Sequence, residues 1–293
     1  MKKDKSYDPE LMRLFDGYVH GELSRRQFLD RAAAFATAGI PATALLSALA
    51  PDYARAAQVD PGDPKIRADY KSYSSPKGGG VMRGYFVRPA DSGHRQPGVV
   101  VIHENRGLNP YIEDVARRLA IAGFIAFAPD ALTPLGGYPG NDDEGRALQQ
   151  ERDILEMTED FVAAAAFLEQ HPDCTGSVGA IGFCFGGAMA MRLAVRIPTL
   201  KAAVAFYGRH PARDEAARIR VPLMLHHAEL DERVNASWPG FQKVLDANDI
   251  PYLEFDYAGV DHGFHNDTTP RYDENAAKLA WQRSVEFLQE HLG

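Results

Sequence analysis

Along residues 57–293, short apolar runs alternate with stretches of helical spacing, and the switching predicts the element order. Val81–Val87 and Gly98–His103 read as strands, the second an almost unbroken apolar run of the kind buried in parallel sheets. Pro110 suits the first turn of a helix that sets Ile112, Val115 and Leu119 on one face. Phe124–Ala128 is a strand closed by Pro129-Asp130. A Gly/Pro-rich loop over 133–141 leads into one long helical region from Asp143 to Gln170, with Asp142 as its cap. The apolar run Ser177–Gly182 enters a glycine-rich turn followed by the helix-prone stretch 188–194. Ala202–Phe206, Pro222–His226 and Tyr252–Tyr257 read as further strands, with a helix over Ser237–Ala247. A closing helix spans Glu274–His291, with Ala277, Leu279, Trp281, Val285 and Leu288 toward the core. Such alternation predicts an α/β fold around a mainly parallel sheet with helices on both faces, in a single domain.

The first 56 residues follow a different pattern. Ser24-Arg25-Arg26-Gln27-Phe28-Leu29 resembles a twin-arginine export motif, an Ala-rich stretch runs from Ala32 to Ala50, and Ala54-Arg55-Ala56 offers a cleavage site. Lys2, Lys3 and Lys5 with the polar lead Tyr7–Glu22 form an extended n-region. An amphipathic N-terminal helix would explain the charges, but not the order of motif, apolar stretch and cleavage site. The expectation is therefore an export signal over 1–56, one folded domain over 57–293, a periplasmic destination and the twin-arginine machinery as a partner. Pro41, Thr37, Thr43 and Ser47 keep the stretch too polar for a stable membrane span.

Composition then narrows the partners. The chain has 293 residues, 45% hydrophobic, enough for one large core. Residues 57–293 keep 24 basic and 33 acidic side chains, a formal charge of −9, which argues against nucleic acid or an anionic membrane surface. Two cysteines invite a disulfide, yet the strand 177–182 lies between them. At ~3.3 Å per residue their α-carbons stand more than ~15 Å apart, beyond the ~7 Å limit for a bridge. Two separate thiols are expected.

One of them, Cys184, sits in Gly182-Phe183-Cys184-Phe185-Gly186-Gly187, between a strand and a helix. Strand, sharp turn and helix are the setting of a G-x-nucleophile-x-G elbow, with cysteine in place of serine. Flanking glycines leave room for the strained central residue. Two later loops begin just past strand ends: 228–234 contains Asp231, and 259–264 contains His262. Nucleophile, acid and base occur in the order Cys184, Asp231, His262. His262 would take the thiol proton and return one to the leaving group, while Asp231 would fix its tautomer. Glu229, on the same side of the strand by alternation, is a second possible acid, and Asp261 is disfavoured because sequence neighbours rarely face each other. His226, His227 and His265 lack ligand spacing, so neither metal nor cofactor is expected.

With His103-Glu104-Asn105-Arg106-Gly107 closing the second of these strands, the chain from Tyr73 to Leu292 resembles the dienelactone hydrolase family of α/β-hydrolases. The resemblance implies Cys184 as nucleophile with Asp231 and His262, and Glu104 as the carboxylate beside the resting thiol. It also implies an oxyanion hole from the backbone N–H groups of Asn105 and Phe185. Family members that act on dienelactone hold its carboxylate with two arginines. Asn266 stands at one of those positions, Arg146 is the local candidate for the other, and Arg106, Arg209 and Tyr207 are further pocket candidates. The implied activity is hydrolysis of a small carboxylic ester or lactone through a thioester. The alternatives are an acyl-accepting binding protein on the same fold and, last, thiol redox chemistry, for which Cys174 stands too far across the sheet to resolve a disulfide.

Overall fold

The computed structural model describes residues 7–36, 41–53, 57–91 and 93–293. They fall into two compact units, one of residues 1–52 with 268–270, the other of 53–267 with 271–293. The first unit carries α1 (Pro9–Val19), α2 (Arg25–Ala32) and α3 (Ala42–Leu49). Asp8 caps α1, and Ser24 and Gln27 form a reciprocal capping box at the start of α2. Leu11, Phe15, Tyr18 and Val19 pack with Phe28, Ala32, Leu46 and Leu49. The expected polar lead is thus largely an amphipathic helix, since its apolar residues recur at 11, 15 and 18. The cleavage sequence Ala54-Arg55-Ala56 and Lys2, Lys3 and Lys5 lie outside the described residues. No helix among the described residues is long and apolar enough to cross a membrane.

The second unit is built on eight strands: β1 (Ile66–Ser75), β2 (Gly80–Pro89), β3 (Gln96–Ile102), β4 (Ile125–Pro129), β5 (Cys174–Phe183), β6 (Ala203–Phe206), β7 (Leu223–Ala228) and β8 (Tyr252–Tyr257). Their order is β1-β2-β4-β3-β5-β6-β7-β8; β1 and β2 are antiparallel and β3 to β8 run parallel. From β3 the chain first moves outward to β4, then returns to lay β5 on the other side. That reversal opens a crevice at the carboxyl ends of β3 and β5, the usual ligand position in open α/β sheets. Glu104 follows β3 and Cys184 follows β5, so the topology brings them to one place.

Alternate strand residues feed two cores. On one face Val100, Ile102, Ala180, Ala205 and Leu225 meet α6 (Ile154–Glu169), α7 (Phe185–Arg196) and α10 (Trp238–Ala247). On the other, Val99, Val101, Ile181, Val204 and Met224 meet α4 (Pro110–Ile121) and α11 (Glu274–Leu292). Each fully buried Val, Leu or Ile contributes about 1.5–3 kcal/mol to this packing. The short helices α8 (Arg213–Ala216) and α9 (Glu232–Asn235) complete the unit with α5 (Asp142–Glu151).

Four expectations need correction. β1 was not anticipated, because a solvent-facing edge strand whose sequence is IRADYKSYSS buries little beyond Ile66, Tyr73 and Ser75. The helical region 143–170 is two helices, broken where extended Arg152 precedes Asp153, whose carboxylate caps α6. Asn141, not Asp142, caps α5. Leu279 is exposed, because the buried stripe of α11 runs through Ala276, Ala277, Ala280, Ser284, Phe287 and Leu288, with Trp281 and Val285 at its margin. Cys174 opens β5 and Cys184 lies beyond its end, and neither is in a disulfide.

His226 and His265 are buried within this unit. His226 Nδ1 lies 2.9 Å from the Tyr257 hydroxyl and Nε2 lies 2.9 Å from Ser284 Oγ; His265 Nδ1 lies 2.6 Å from the Tyr111 hydroxyl. Burial holds both imidazoles well below 6.5, so both are neutral in the folded chain. On acidification the unfolded chain takes up protons that the folded chain refuses, and stability present above pH 6.5 is lost below it. The loss approaches ~1.4 kcal/mol per pH unit per ring. Thermal midpoints measured from pH 7 to pH 5 should fall steadily, and the fall should shrink in a His226→Gln variant; a flat wild-type profile would contradict this.

Candidate active site

β5 ends at Phe183, α7 starts at Phe185, and Cys184 makes the whole turn with φ 56° and ψ −113°. A left-handed φ at a non-glycine residue costs roughly 1–3 kcal/mol and persists only where its surroundings enforce it. Here they do. Cys184 N–H donates to the Phe206 carbonyl at 3.0 Å, and the Cys184 carbonyl accepts from Ala188 N–H at 3.2 Å. A Cβ on Gly182 would lie 1.9 Å from the Gly186 carbonyl oxygen, and one on Gly186 would lie 2.2 Å from that of Ile102. Backbone touches backbone at both points, so only glycine fits.

Asp231 and His262 arrive from the loops after β7 and β8. Asp231 Oδ1 accepts from Val234 N–H and caps α9, while Oδ2 lies 2.5 Å from His262 Nδ1. The two rival acids are engaged elsewhere: Asp261 Oδ1 accepts from the backbone N–H of His262, and Glu229 Oε2 from that of Gly259. Cys184 Sγ lies within 4.8 Å of a ring nitrogen of His262. Burial alone would lower the imidazole pKa, but the Cys184 and Asp231 charges and hydrogen bonds to both push it up to about 10. The ring therefore favours the imidazolium form.

Glu104 is almost fully buried; its Oε2 accepts from Asn266 Nδ2 at 2.9 Å and lies 3.8 Å from Arg106 Nη2. Asn266, at the position where the family resemblance placed an arginine, is thus a donor to the carboxylate. Arg106 is buried as well, with Nη1 donating to Asp142 Oδ2 at 2.8 Å, and Asp142 also accepts from Tyr53 and Tyr138. Arg146 lies one turn along α5 and pairs with Asp143. Asn105 lies in the loop after β3, and Phe185 is the first residue of α7, where helical N–H groups have no acceptor within the helix. Tyr207 follows β6 with φ 38°; its ring lies 4.9 Å from that of His262. Burial, then the charges of Glu104 and Cys184, hold its phenol well above the usual range, so it stays protonated.

Sequence reasoning missed two cations. Arg233 Nη2 lies 3.4 Å from His262 Nδ1; that nitrogen is already turned to Asp231, so the contact is one of charge proximity. The Arg271 guanidinium lies against Gly263 and lowers the Tyr207 pKa. Arg233 stood within the loop that supplied Asp231, and was legible there as a charge close to the acid.

A cysteine elbow at the switch point of a mainly parallel eight-stranded sheet, with a buried His-Asp pair from the next two strand ends, defines an α/β-hydrolase. The chain belongs to the dienelactone hydrolase family, whose family model matches residues 82–292. A family described as YqhI-like matches residues 1–36. The protein YghX of Escherichia coli K12, named as a hydrolase fragment, is 62% identical over 112 residues, 38% of this chain and 96% of the fragment. A Bradyrhizobium protein named "probable 2-oxo-3-(5-oxofuran-2-ylidene)propanoate lactonase" is 31% identical over 222 residues, 71% of this chain and 89% of its own. A Klebsiella pneumoniae structure solved under the name of dienelactone hydrolase superposes with a TM-score of 0.67 at 26% identity, covering 76% of this chain and 99% of that one.

The backbone contacts at the elbow make a direct prediction. Gly182→Ala should cost more than the ~1–3 kcal/mol of an overpacked side chain, because neither carbonyl nor helix can withdraw. Chemical denaturation should show a sharply lowered midpoint or no soluble protein; a wild-type midpoint would refute the packing argument.

Proposed function

We propose that the protein hydrolyses small carboxylic esters or lactones through a thioester on Cys184. The observation that carries this reading is the strained Cys184 with its thiol near His262, whose other face is bound to Asp231. Names of relatives support the substrate class: one is named as a lactonase, and several as carboxymethylenebutenolidases. The thiolate of Cys184 attacks the carbonyl carbon, and the oxyanion is stabilised by the N–H groups of Phe185 and Asn105. Collapse breaks the C–O bond, and the departing alkoxide takes its proton from His262. With the thiolate consumed, the largest influence raising the His262 pKa is gone, so the ring becomes a base for water. Water then cleaves the thioester, the acid leaves, and the proton returns to the Cys184–His262 pair. Glu104, held by Asn266 and Arg106, is assigned as the carboxylate beside Cys184 on the family resemblance.

A second reading keeps the acylation and lacks the release, giving an acyl-accepting binding protein. Product measured over many turnovers separates the two, because a binder stops at one equivalent.

The N-terminal segment is proposed as a twin-arginine export signal, supported by the order of motif, apolar stretch and cleavage sequence and by the exposed Arg26 side chain. The capping box at Ser24 and Gln27 and the packed Phe28 favour a second reading, a retained helical unit. Cell fractionation with N-terminal sequencing decides: a periplasmic chain beginning near Ala57 supports export, and an intact cytoplasmic chain supports retention.

Cys184→Ala should lower turnover on a lactone and ester panel by roughly 10⁴-fold or more while leaving the thermal midpoint near wild type. In the same variant the His262 pKa, followed by NMR, should drop from about 10 because the neighbouring thiolate is gone. Undiminished turnover, or an unchanged imidazole pKa, would sink the assignment.

A further inference from the structure

A second chemical cluster lies at the sheet edge, where β7 and β8 pair with His227 opposite Asp256. Residues two apart on a strand share a face, so Glu254 and Asp256 point the same way as His227. The His227 side chain is 3% exposed, and its Nδ1 lies 3.3 Å from Glu254 Oε1 and 3.7 Å from Asp256 Oδ1. The three donor atoms all lie within 4.8 Å of one another. The opposite nitrogen, Nε2, lies 3.1 Å from His210 Nε2, and His210 Nδ1 lies 2.8 Å from Ser237 Oγ. One ring nitrogen thus faces two carboxylates while the other is held by a second polar group, which is how metal-binding histidines are oriented.

Charge and distance point the same way. Among the described residues, neither carboxylate is ion-paired to a lysine or arginine. In a tetrahedron with metal–ligand bonds of about 2.0–2.2 Å, ligand atoms stand ~3.3–3.6 Å apart. The 3.3 Å separation falls on that edge and the 3.7 Å separation lies just beyond it.

The geometry points to a binding site for a divalent transition metal of the zinc class, formed by His227 Nδ1, Glu254 and Asp256. The Asp256 side chain is 65% exposed, so the fourth position faces water. An imidazole with two carboxylates suits zinc or cobalt better than calcium or magnesium, which prefer all-oxygen shells. The bound ion clamps edge strand β8 to β7 just ahead of the loop that carries Asp231. Spacing along the chain hid this site, because its ligands come from neighbouring strands.

The test titrates Zn²⁺ alone into the full-length Cys184→Ser chain, in which the elbow offers no thiolate, and follows Co²⁺ absorption in parallel. The parent should bind one Zn²⁺ at micromolar concentration and rise in thermal midpoint. Glu254→Gln and Asp256→Asn, both at solvent-reached positions, should each weaken binding by about tenfold or more and lose the thermal gain. No Zn²⁺ uptake by the parent, or equal affinity in both variants, overturns the site.

Discussion

Everything at the candidate site depends on two backbone approaches: Gly182 against the Gly186 carbonyl, and Gly186 against that of Ile102. They press the start of α7 onto the ends of β5 and β3, leaving one residue to turn the chain. That residue, Cys184, takes a left-handed φ and lies at the head of a helix. A thiolate there lies beside helical N–H groups that favour negative charge. The same contacts bring the end of β3, just before Glu104 and Asn105, against the elbow. Elbow strain and sheet topology are thus two aspects of one constraint.

Around that fixed point the charges are arranged in linked pairs. Asp231 holds His262, Asn266 and Arg106 hold Glu104, and Asp142 in turn holds Arg106. A buried carboxylate without such partners would carry a large desolvation cost. Asn266 illustrates how a departure from the family pattern acquires meaning. In place of an arginine available to substrate there is a shorter amide that stabilises the carboxylate. Arg106, a pocket candidate from sequence, has one guanidinium nitrogen bonded to Asp142 and another near Glu104.

What could be read from the sequence follows from how local each signal is. The parallel core strands and the elbow were legible because apolar runs and paired glycines are contiguous features. The order Cys184, Asp231, His262 was legible because each residue follows a strand end. β1 was not, since an exposed antiparallel strand with three buried residues carries no apolar run. The break at Arg152-Asp153 escaped because the flanking segments both have helical composition, and only the cap geometry separates them. Arg233 and Arg271 owe their places to loop paths that spacing does not encode. The His227, Glu254 and Asp256 cluster needed the β7–β8 register before its members could be seen together.

In the proposed reaction Cys184 carries the acyl group during turnover. Acid-quenching the wild-type protein during steady hydrolysis of an activated ester, then digesting it and weighing the peptides, shows where the acyl group sits. The expected result is an acyl mass on the peptide containing Cys184, labile to hydroxylamine and decaying once substrate is exhausted. Sustained turnover with the Cys184 peptide unmodified, or with the acyl group on another residue, would contradict it.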